Sequence, residues 1–293
     1  MGFDMTTLDL PPSPSPPPTP PLTRALPDLA AWTAHFQAAD IPILADTADA
    51  LEAMRPHEDD LDANTIGEMI SGDPLMTLKV LAYASTHRGS RMVTDTETVI
   101  ATLVMMGISP FFRAFGPQPT VEACLAGEPE ALAGLQDTVR RGHRSASFAL
   151  GLAVHRQDRD AAVIHGAALL HDFAEMLLWC HAPVLALQIR RAQQVDGTLR
   201  SSAVQRDVLN IELADLQQSL MKAWRLPELL IRISDDAHAE QASVRNVALA
   251  VRLARHTAQG WDNAAIPDDV ADIAALLNQS PAATMQLIDA IGR

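Results

Sequence analysis

Apolar residues recur every three or four positions along most of the chain, which is the spacing of one face of an α-helix. The first such stretch places Leu29, Trp32 and Phe36 on one face, with Asp28 in front of it as a helix N-cap. We find no convincing alternation of apolar and polar residues of the kind that marks a half-buried β-strand. The pattern therefore predicts an all-α protein.

Up to about residue 118 the predicted helices are short. Residues 41–44, Ile-Pro-Ile-Leu, are predicted to be an extended connector, and a helix should follow from about Thr47 to Met54. Asp62 is predicted to begin one helix, and Asp73, which precedes a proline, to begin the next. A helix over about 95–106 should end at Gly107, after which breaks are expected at Pro110, Gly116, Pro117 and Pro119. These breaks place a boundary between two lobes near residue 118.

Longer helical patterns fill the rest of the chain, over about 129–156, 159–180, 182–195, 201–224, 227–238, 241–259, 267–278 and 281–291. We expect residues 26–262 to form one domain, with the helices of 263–293 packed on it. Residues 1–25 are predicted to be a disordered leader, because the run PPSPSPPPTPP at 11–21 cannot pack a core.

Composition and charge limit the possible partners. The 293 residues are 48% hydrophobic, enough to bury a substantial core, and carry a formal net charge of −14. That charge argues against a nucleic-acid partner, since binding a phosphate backbone needs clustered cations. No apolar run is judged long enough to cross a bilayer, so no membrane partner is expected. Cys124 and Cys180 lie outside any metal-type spacing and are expected to be reduced core thiols of a cytoplasmic protein.

Candidate chemistry lies in a histidine-rich stretch. His171 is followed by Asp172, and imidazole nitrogen and carboxylate oxygen suit zinc, iron or manganese, which can activate water for attack on a phosphate ester. Neighbouring residues on a helix point about 100° apart, so this pair needs help from another helix to hold one ion. His143, on the preceding helix, is the candidate for this additional ligand. His165 is not on the His171 face, and His181 is predicted to be at a helix end, so neither is included.

Several segments together resemble the HDOD domain, a relative of the HD phosphohydrolases that is associated with bacterial signalling. The resemblance covers about residues 34–258, and the order and spacing of its pieces make it specific. The pieces are IPIL at 41–44, Ile70 with Asp73-Pro74-Leu75, LKVLAYAS at 78–85, Ile100 to Gly107, His143 with Ser145, GAALLHD at 166–172 and AWRLP at 223–227.

The resemblance implies a smaller N-terminal helical lobe packed on a larger HD-like helical lobe. It also implies that His143, His171 and Asp172 match three of the four metal ligands of HD enzymes. The fourth position carries Arg255 in place of a carboxylate, and Glu175 stands where active enzymes have a lysine. These departures predict a vestigial ligand set and no catalytic residues.

Three functions remain open on the sequence. The preferred one is a non-catalytic regulatory module that binds a partner protein or a small nucleotide, with no cofactor expected. The alternative is a phosphohydrolase of nucleotides or cyclic dinucleotides that depends on a divalent metal and uses His143, His171 and Asp172. The same site could also bind a metal without turnover, with His238 or His256 as a replacement ligand. The third is a helical scaffold that only oligomerises. If they hold no metal, His143, His171 and Asp172 are expected to form a buried polar network between helices. The acidic pair 235–236 is predicted to be a solvated helix end.

Overall fold

The computed structural model describes residues 20–87, 96–197 and 199–292. Over these residues the chain is helical, and one isolated pair of extended residues is the only β-type pairing. This confirms the predicted all-α class. The helices before residue 128 are α1 (Leu29–Ala38), α2 (Ala45–Met54), a 3-10 helix (Arg55–Asp60), α3 (Ala63–Ser71), α4 (Pro74–Thr86), α5 (Val99–Met106), α6 (Ile108–Ala114) and α7 (Val121–Cys124).

The helices after residue 128 are longer and form the second lobe. They are α8 (Pro129–His155), α9 (Ala161–Leu169), α10 (Phe173–His181), α11 (Pro183–Val195), α12 (Ser201–Leu209), α13 (Leu213–Ala223), α14 (Glu228–Ile233), a 3-10 helix (Asp236–His238), α15 (Ala242–His256), α16 (Ile266–Leu277) and α17 (Pro281–Ile291).

The aspartates predicted to begin helices do so. The carboxylates of Asp28, Asp62 and Asp73 accept hydrogen bonds from first-turn backbone N–H groups at 2.7 to 3.0 Å. Asp73 is fully buried, and its second oxygen accepts the N–H of Leu44 at 2.8 Å. This carboxylate therefore ties the start of α4 to the connector that precedes α2.

The predicted extended connector is confirmed and closes the first lobe. Ile43 pairs in parallel with Thr120, with its N–H 3.0 Å from the carbonyl of Pro119. The carbonyl of Ile43 in turn accepts the N–H of Val121 at 2.9 Å. Since α7 begins at Val121, the first lobe extends a few residues beyond the boundary that the prolines predict.

The first helix packs on the second lobe, although it comes first in the chain. On α1, the indole N–H of Trp32 donates to the carbonyl of Leu209 at 2.9 Å, and the hydroxyls of Thr33 and Ser219 are 2.8 Å apart. The preceding segment is also docked, since the N–H of Leu22 lies 2.7 Å from the carbonyl of His181. Within the predicted leader, residues 20–25 are thus placed on the fold, while 1–19 lie outside the described residues.

Several predicted helices are interrupted. The predicted helix over 159–180 breaks at 170–172, and the one over 201–224 breaks at Asn210, which takes a left-handed conformation with φ 66°. Helix α14 stops at Ile233, short of the predicted end. In contrast, Pro110 does not break the chain, because it lies in the first turn of α6, where the missing N–H has no helical partner.

The most apolar stretch of the chain belongs to the core. By length and composition alone, Ala161–His181 could cross a membrane, contrary to the sequence expectation. In the structure 61% of its most apolar window is buried, and the stretch is divided between α9 and α10. Of the two free cysteines, Cys180 is buried as expected, but Cys124 is exposed because α7 turns it towards solvent.

The C-terminal helices pack on the second lobe. Helix α16 lies against α15, and α17 contacts both α16 and α8. A buried carboxylate, Asp269 of α16, is hydrogen-bonded to His256 Nδ1 of α15 at 2.6 Å and forms an ion pair with Arg252 Nε of the same helix at 2.6 Å. His256 therefore stabilises this helix contact.

We expect Asp73→Ala to lower the free energy of unfolding by about 2 kcal/mol or more, because it leaves buried N–H groups without an acceptor. Asp62→Ala is the matched control. It removes an exposed N-cap, so its effect should be closer to about 1 kcal/mol. Urea denaturation of both variants measures the difference, and equal losses would show that burial of the Asp73 cap adds nothing.

Candidate functional site

His171 and Asp172 lie in the turn between α9 and α10, and not on the continuous helix predicted for them. Asp172 is the residue before α10, with φ −110° and ψ 23°. The turn brings the two side chains together, with His171 Nδ1 3.1 Å from Asp172 Oδ1. A straight helix would have pointed them about 100° apart.

Helix α8 passes close to this turn at a glycine. A Cβ atom on Gly142 would lie 3.1 Å from the carbonyl oxygen of Leu169 at the end of α9, so a larger residue would push α8 and α9 apart. The neighbouring Arg141 faces the turn, together with Thr138, one helical turn earlier. This close approach places a guanidinium beside Asp172.

Two arginines hold the carboxylate of Asp172. Arg141 Nε donates to one oxygen at 2.7 Å, and Arg255 Nη2 donates to the other oxygen at 2.7 Å. The Asp172 side chain is only 9% exposed. Burial alone would raise the pKa of this carboxyl, but the charges of Arg255 and Arg141 and the bond from His171 hold it well below its ordinary value. Asp172 is therefore an ion-paired carboxylate.

Glu175 completes the pairing of Arg141. Arg141 Nη2 donates to one oxygen of Glu175 at 2.6 Å, so one guanidinium bridges the carboxylates of Asp172 and Glu175. The other Glu175 oxygen accepts the hydroxyl of Thr138 at 3.0 Å. A carboxylate at this position thus neutralises the arginine on α8.

His171 is held between two carboxylates. Its Nε2 lies 3.2 Å from Asp236 Oδ2, on the side away from Asp172. Burial would lower the pKa of this imidazole, but the bonds to Asp172 and Asp236 outweigh burial and raise the pKa to about 9. The imidazolium donates in both directions. Asp236, predicted to be a solvated helix end, is 56% exposed and is also a partner of His171.

The structure does not bring His143 to this pair. Two residues beyond Arg141 on α8, it points about 200° around the helix axis. Burial lowers the pKa of His143, and the charge of Asp73 partly offsets that effect. His165 is a neighbour of His143, and burial lowers its pKa as well. His143 therefore faces the junction with the first lobe.

The two histidines considered as replacement ligands also lie elsewhere. His256 Nδ1 is bound to the buried Asp269, as described above. His238 is about half exposed, and its nearest carboxylates belong to Asp235 and Glu240, at 3.8 and 3.4 Å. Neither histidine contacts Asp172.

The residues present do not fit a metal ion of the HD type. Both oxygens of Asp172 already accept hydrogen bonds from guanidinium groups, and both nitrogens of His171 face carboxylates. Over 20–87, 96–197 and 199–292, no group of three or more His, Cys, Asp or Glu side chains is placed to hold an ion. A cation would have to displace two arginines to reach the carboxylate.

The ion-paired cluster lies at one side of a large groove of about 900 Å³. Helix α10 forms its base and packs against both α8 and α13. The groove also reaches α11 and the end of α15. At Gly134 a Cβ atom would lie 2.5 Å from the ring of Trp179, so only glycine lets that ring pack beneath α8.

Sequence reasoning identified Arg255 but missed Arg141. The missed signal is the helical register of α8. Gly134, Thr138, Arg141 and Ser145 follow one another at intervals of three or four residues, which marks one face of the helix. Thr138 and Ser145 are buried. An arginine on a buried face requires carboxylate partners.

Comparison with protein families finds a match to the model of the HDOD domain over residues 41–240. No curated protein matches the chain.

Solved structures resemble the fold. The MmoQ response regulator from Methylococcus capsulatus matches with a TM-score of 0.59 and 18% identity, over 81% of this chain and 98% of that one. A virulence factor from Campylobacter jejuni matches with a TM-score of 0.58 and 15% identity, over 89% of this chain and 97% of that one. An HDOD domain protein from Geobacter sulfurreducens has a TM-score of 0.47 and 14% identity, over 90% of this chain and 97% of that one. For the first two structures, at these identities, the likeness concerns the fold.

We expect Arg141→Met to lower the free energy of unfolding by about 3 kcal/mol or more, because it leaves two carboxylates short of a buried cation. Arg255→Met is the matched variant. The side chain of Arg255 is 50% exposed, so the loss of unfolding free energy in this variant should be about 1 kcal/mol. Denaturant unfolding gives both values, and a larger loss for Arg255→Met would mean that Arg255 is the main support of Asp172.

The raised pKa of His171 predicts a loss of stability in mild alkali. The folded state holds the proton of His171 up to about pH 9, whereas the unfolded state releases it near pH 6.5. The contribution of this proton to the free energy of unfolding is therefore complete below about pH 6.5 and is lost as the pH rises through about 9. It should amount to at most about 3 kcal/mol. Unfolding of the wild type and of His171→Gln across this range measures it. The loss should be absent in His171→Gln and retained in a control, exposed His57→Gln; an equal loss in all three would contradict the assignment.

Proposed function

Because the chain belongs to the HDOD domain family, we propose that it is a non-catalytic signal-transduction module of the cytoplasm, which binds a partner protein or a small nucleotide. The groove beside the ion-paired cluster is its binding surface. No cofactor is needed, and no residue has a catalytic role.

The observation that carries this proposal is the pairing of Asp172 with Arg141 and Arg255. Metal-assisted hydrolysis needs a carboxylate free to bind the ion and an open coordination position for water. Here both oxygens of that carboxylate are hydrogen-bonded to guanidinium groups at 2.7 Å. The same pairing joins the helices around the groove.

The similarity of the fold to the MmoQ response regulator supports a role in signalling. It supports the class of function alone, since folds of this likeness can serve different partners. The identity of the partner must come from the groove itself.

The test is metal content and hydrolysis measured on the same sample. The full chain is incubated with zinc, manganese or ferrous iron, freed of excess metal and analysed for bound metal. It is then assayed with p-nitrophenyl phosphate and with a cyclic dinucleotide. We expect bound metal well below one equivalent and no hydrolysis above that of His171→Ala, because the arginines occupy the carboxylate.

The opposite result would support a metal-dependent phosphohydrolase. It would consist of one or two equivalents of metal and measurable hydrolysis, both lost in His171→Ala. His57→Ala serves as a control for histidines that bind metal at the surface.

A further inference from the structure

Helix α5 turns an apolar face to solvent. Seven of its eight residues are apolar, and a helix that is apolar all round is normally buried on every side. Only one side of α5 is buried, through Val99, Thr102 and Leu103. The neighbouring residues Val104 and Met105 are 67% and 57% exposed. Single exposed apolar residues are common, but two adjacent ones on an apolar helix indicate a contact surface.

Carboxylates border this apolar face. Helix α3 packs directly on α5, because a Cβ atom on Gly67 would lie 2.5 Å from Cγ1 of Ile100, which is one turn before Val104. The residue after Gly67 on α3 is Glu68, which is exposed beside this contact. In the other direction α5 contacts α6, and α6 contacts the 3-10 helix that precedes α3, where Asp59 is exposed.

Negative charge is concentrated in this part of the chain. Residues 46–68 hold eight carboxylates and one arginine, Arg55, which is itself paired with Glu52 at 2.8 Å. Their formal charge of −7 is half of the −14 of the whole chain. Residues 40–125 hold thirteen carboxylates and five lysines or arginines, so the first lobe has a formal charge of −8. An apolar centre with a negative border suits a partner that is apolar and positively charged.

The same charge argues against two occupants from within the chain. A second copy would bring one strongly negative lobe against another, and like charges across an interface are unfavourable. Residues 1–19 contain Asp4 and Asp9 and no lysine or arginine, so they lack the complementary charge as well. A basic partner protein has the required sign.

We propose that the outer face of α5 binds an amphipathic helix of a partner protein, which is apolar on one side and carries lysine or arginine along its edges. The apolar side lies on Val104 and Met105, and the cations lie near Glu68 and the acidic 3-10 helix. A helix fits a helix face because the side-chain ridges of one pack into the grooves of the other. The flexible thioether of Met105 adapts to side chains of different shape.

This surface is separate from the groove over α10, which is lined by residues of the second lobe alone. The inference therefore goes beyond the proposed function, and either can fail without the other.

The test uses a labelled synthetic peptide of leucine and lysine at helical spacing, titrated with the full chain and followed by fluorescence anisotropy. We expect this peptide to bind more tightly than a scrambled peptide of the same composition, which has the charge but no apolar face. A peptide of leucine and glutamate should not bind. The affinity of the leucine-lysine peptide should fall with increasing salt, because exposed charges are screened.

Variants locate the peptide on α5. Val104→Thr combined with Met105→Gln keeps the size of both side chains and should weaken binding roughly ten-fold. Glu68→Gln should weaken binding less and reduce its salt dependence. The controls are Val195→Thr, at an exposed apolar position on α11, and Asp262→Asn, at an exposed carboxylate of the second lobe. Neither control should change the affinity by much.

Unchanged affinity in the double variant of Val104 and Met105 would overturn the proposal, as would equal binding of the ordered and scrambled peptides. Three further results would replace the partner protein by another occupant. A dimer of the wild type that dissociates in the double variant, seen by sedimentation, would identify a second copy. Displacement of the probe by a synthetic peptide of residues 1–19 would identify the leader. A lower urea midpoint in the double variant would show that the chain itself covers the face.

Discussion

The ion pairing of Asp172 joins three helices of the second lobe. Its buried carboxylate stands at the start of α10, Arg141 reaches it from α8, and Arg255 reaches it from α15. A buried carboxylate is strongly unfavourable without compensating charge, so the three helices must stay close enough for both guanidinium groups to reach it. Gly142 permits this approach, because a side chain there would meet the carbonyl of Leu169.

The same pairing decides the chemistry that the site can support. Two permanently charged guanidinium groups fill the space around the carboxylate, and an imidazolium between Asp172 and Asp236 completes a closed set of ion pairs. Such a set is stable and specific in geometry, but it leaves no ligand free for an ion. We therefore propose that the groove over α10 is the surface that the second lobe offers to other molecules.

The site was partly predictable from the sequence. The His171-Asp172 pair and the substitution at Arg255 could be recognised, because a family resemblance aligns them by order and spacing. His143 was expected beside them and faces Asp73 and His165 instead. Whether Arg141 or His143 lies beside Asp172 depends on which face of α8 meets the turn at 170–172. Rotating a helix by two residues exchanges Arg141 for His143, and the spacing of residues between separate motifs does not specify that rotation.

The sequence by itself determined the helical class, most helix starts and the extended connector at Ile43. These depend on local physical chemistry, since an aspartate before a helix satisfies its own neighbouring N–H groups and apolar residues at helical spacing bury one face. Only the tertiary structure decided that α1 packs on the second lobe, that the helix predicted over 159–180 breaks at His171, and that Arg141 pairs with Asp172. Each of these depends on contacts between residues far apart in the chain, whose burial outweighs the weak local preference for continuing a helix.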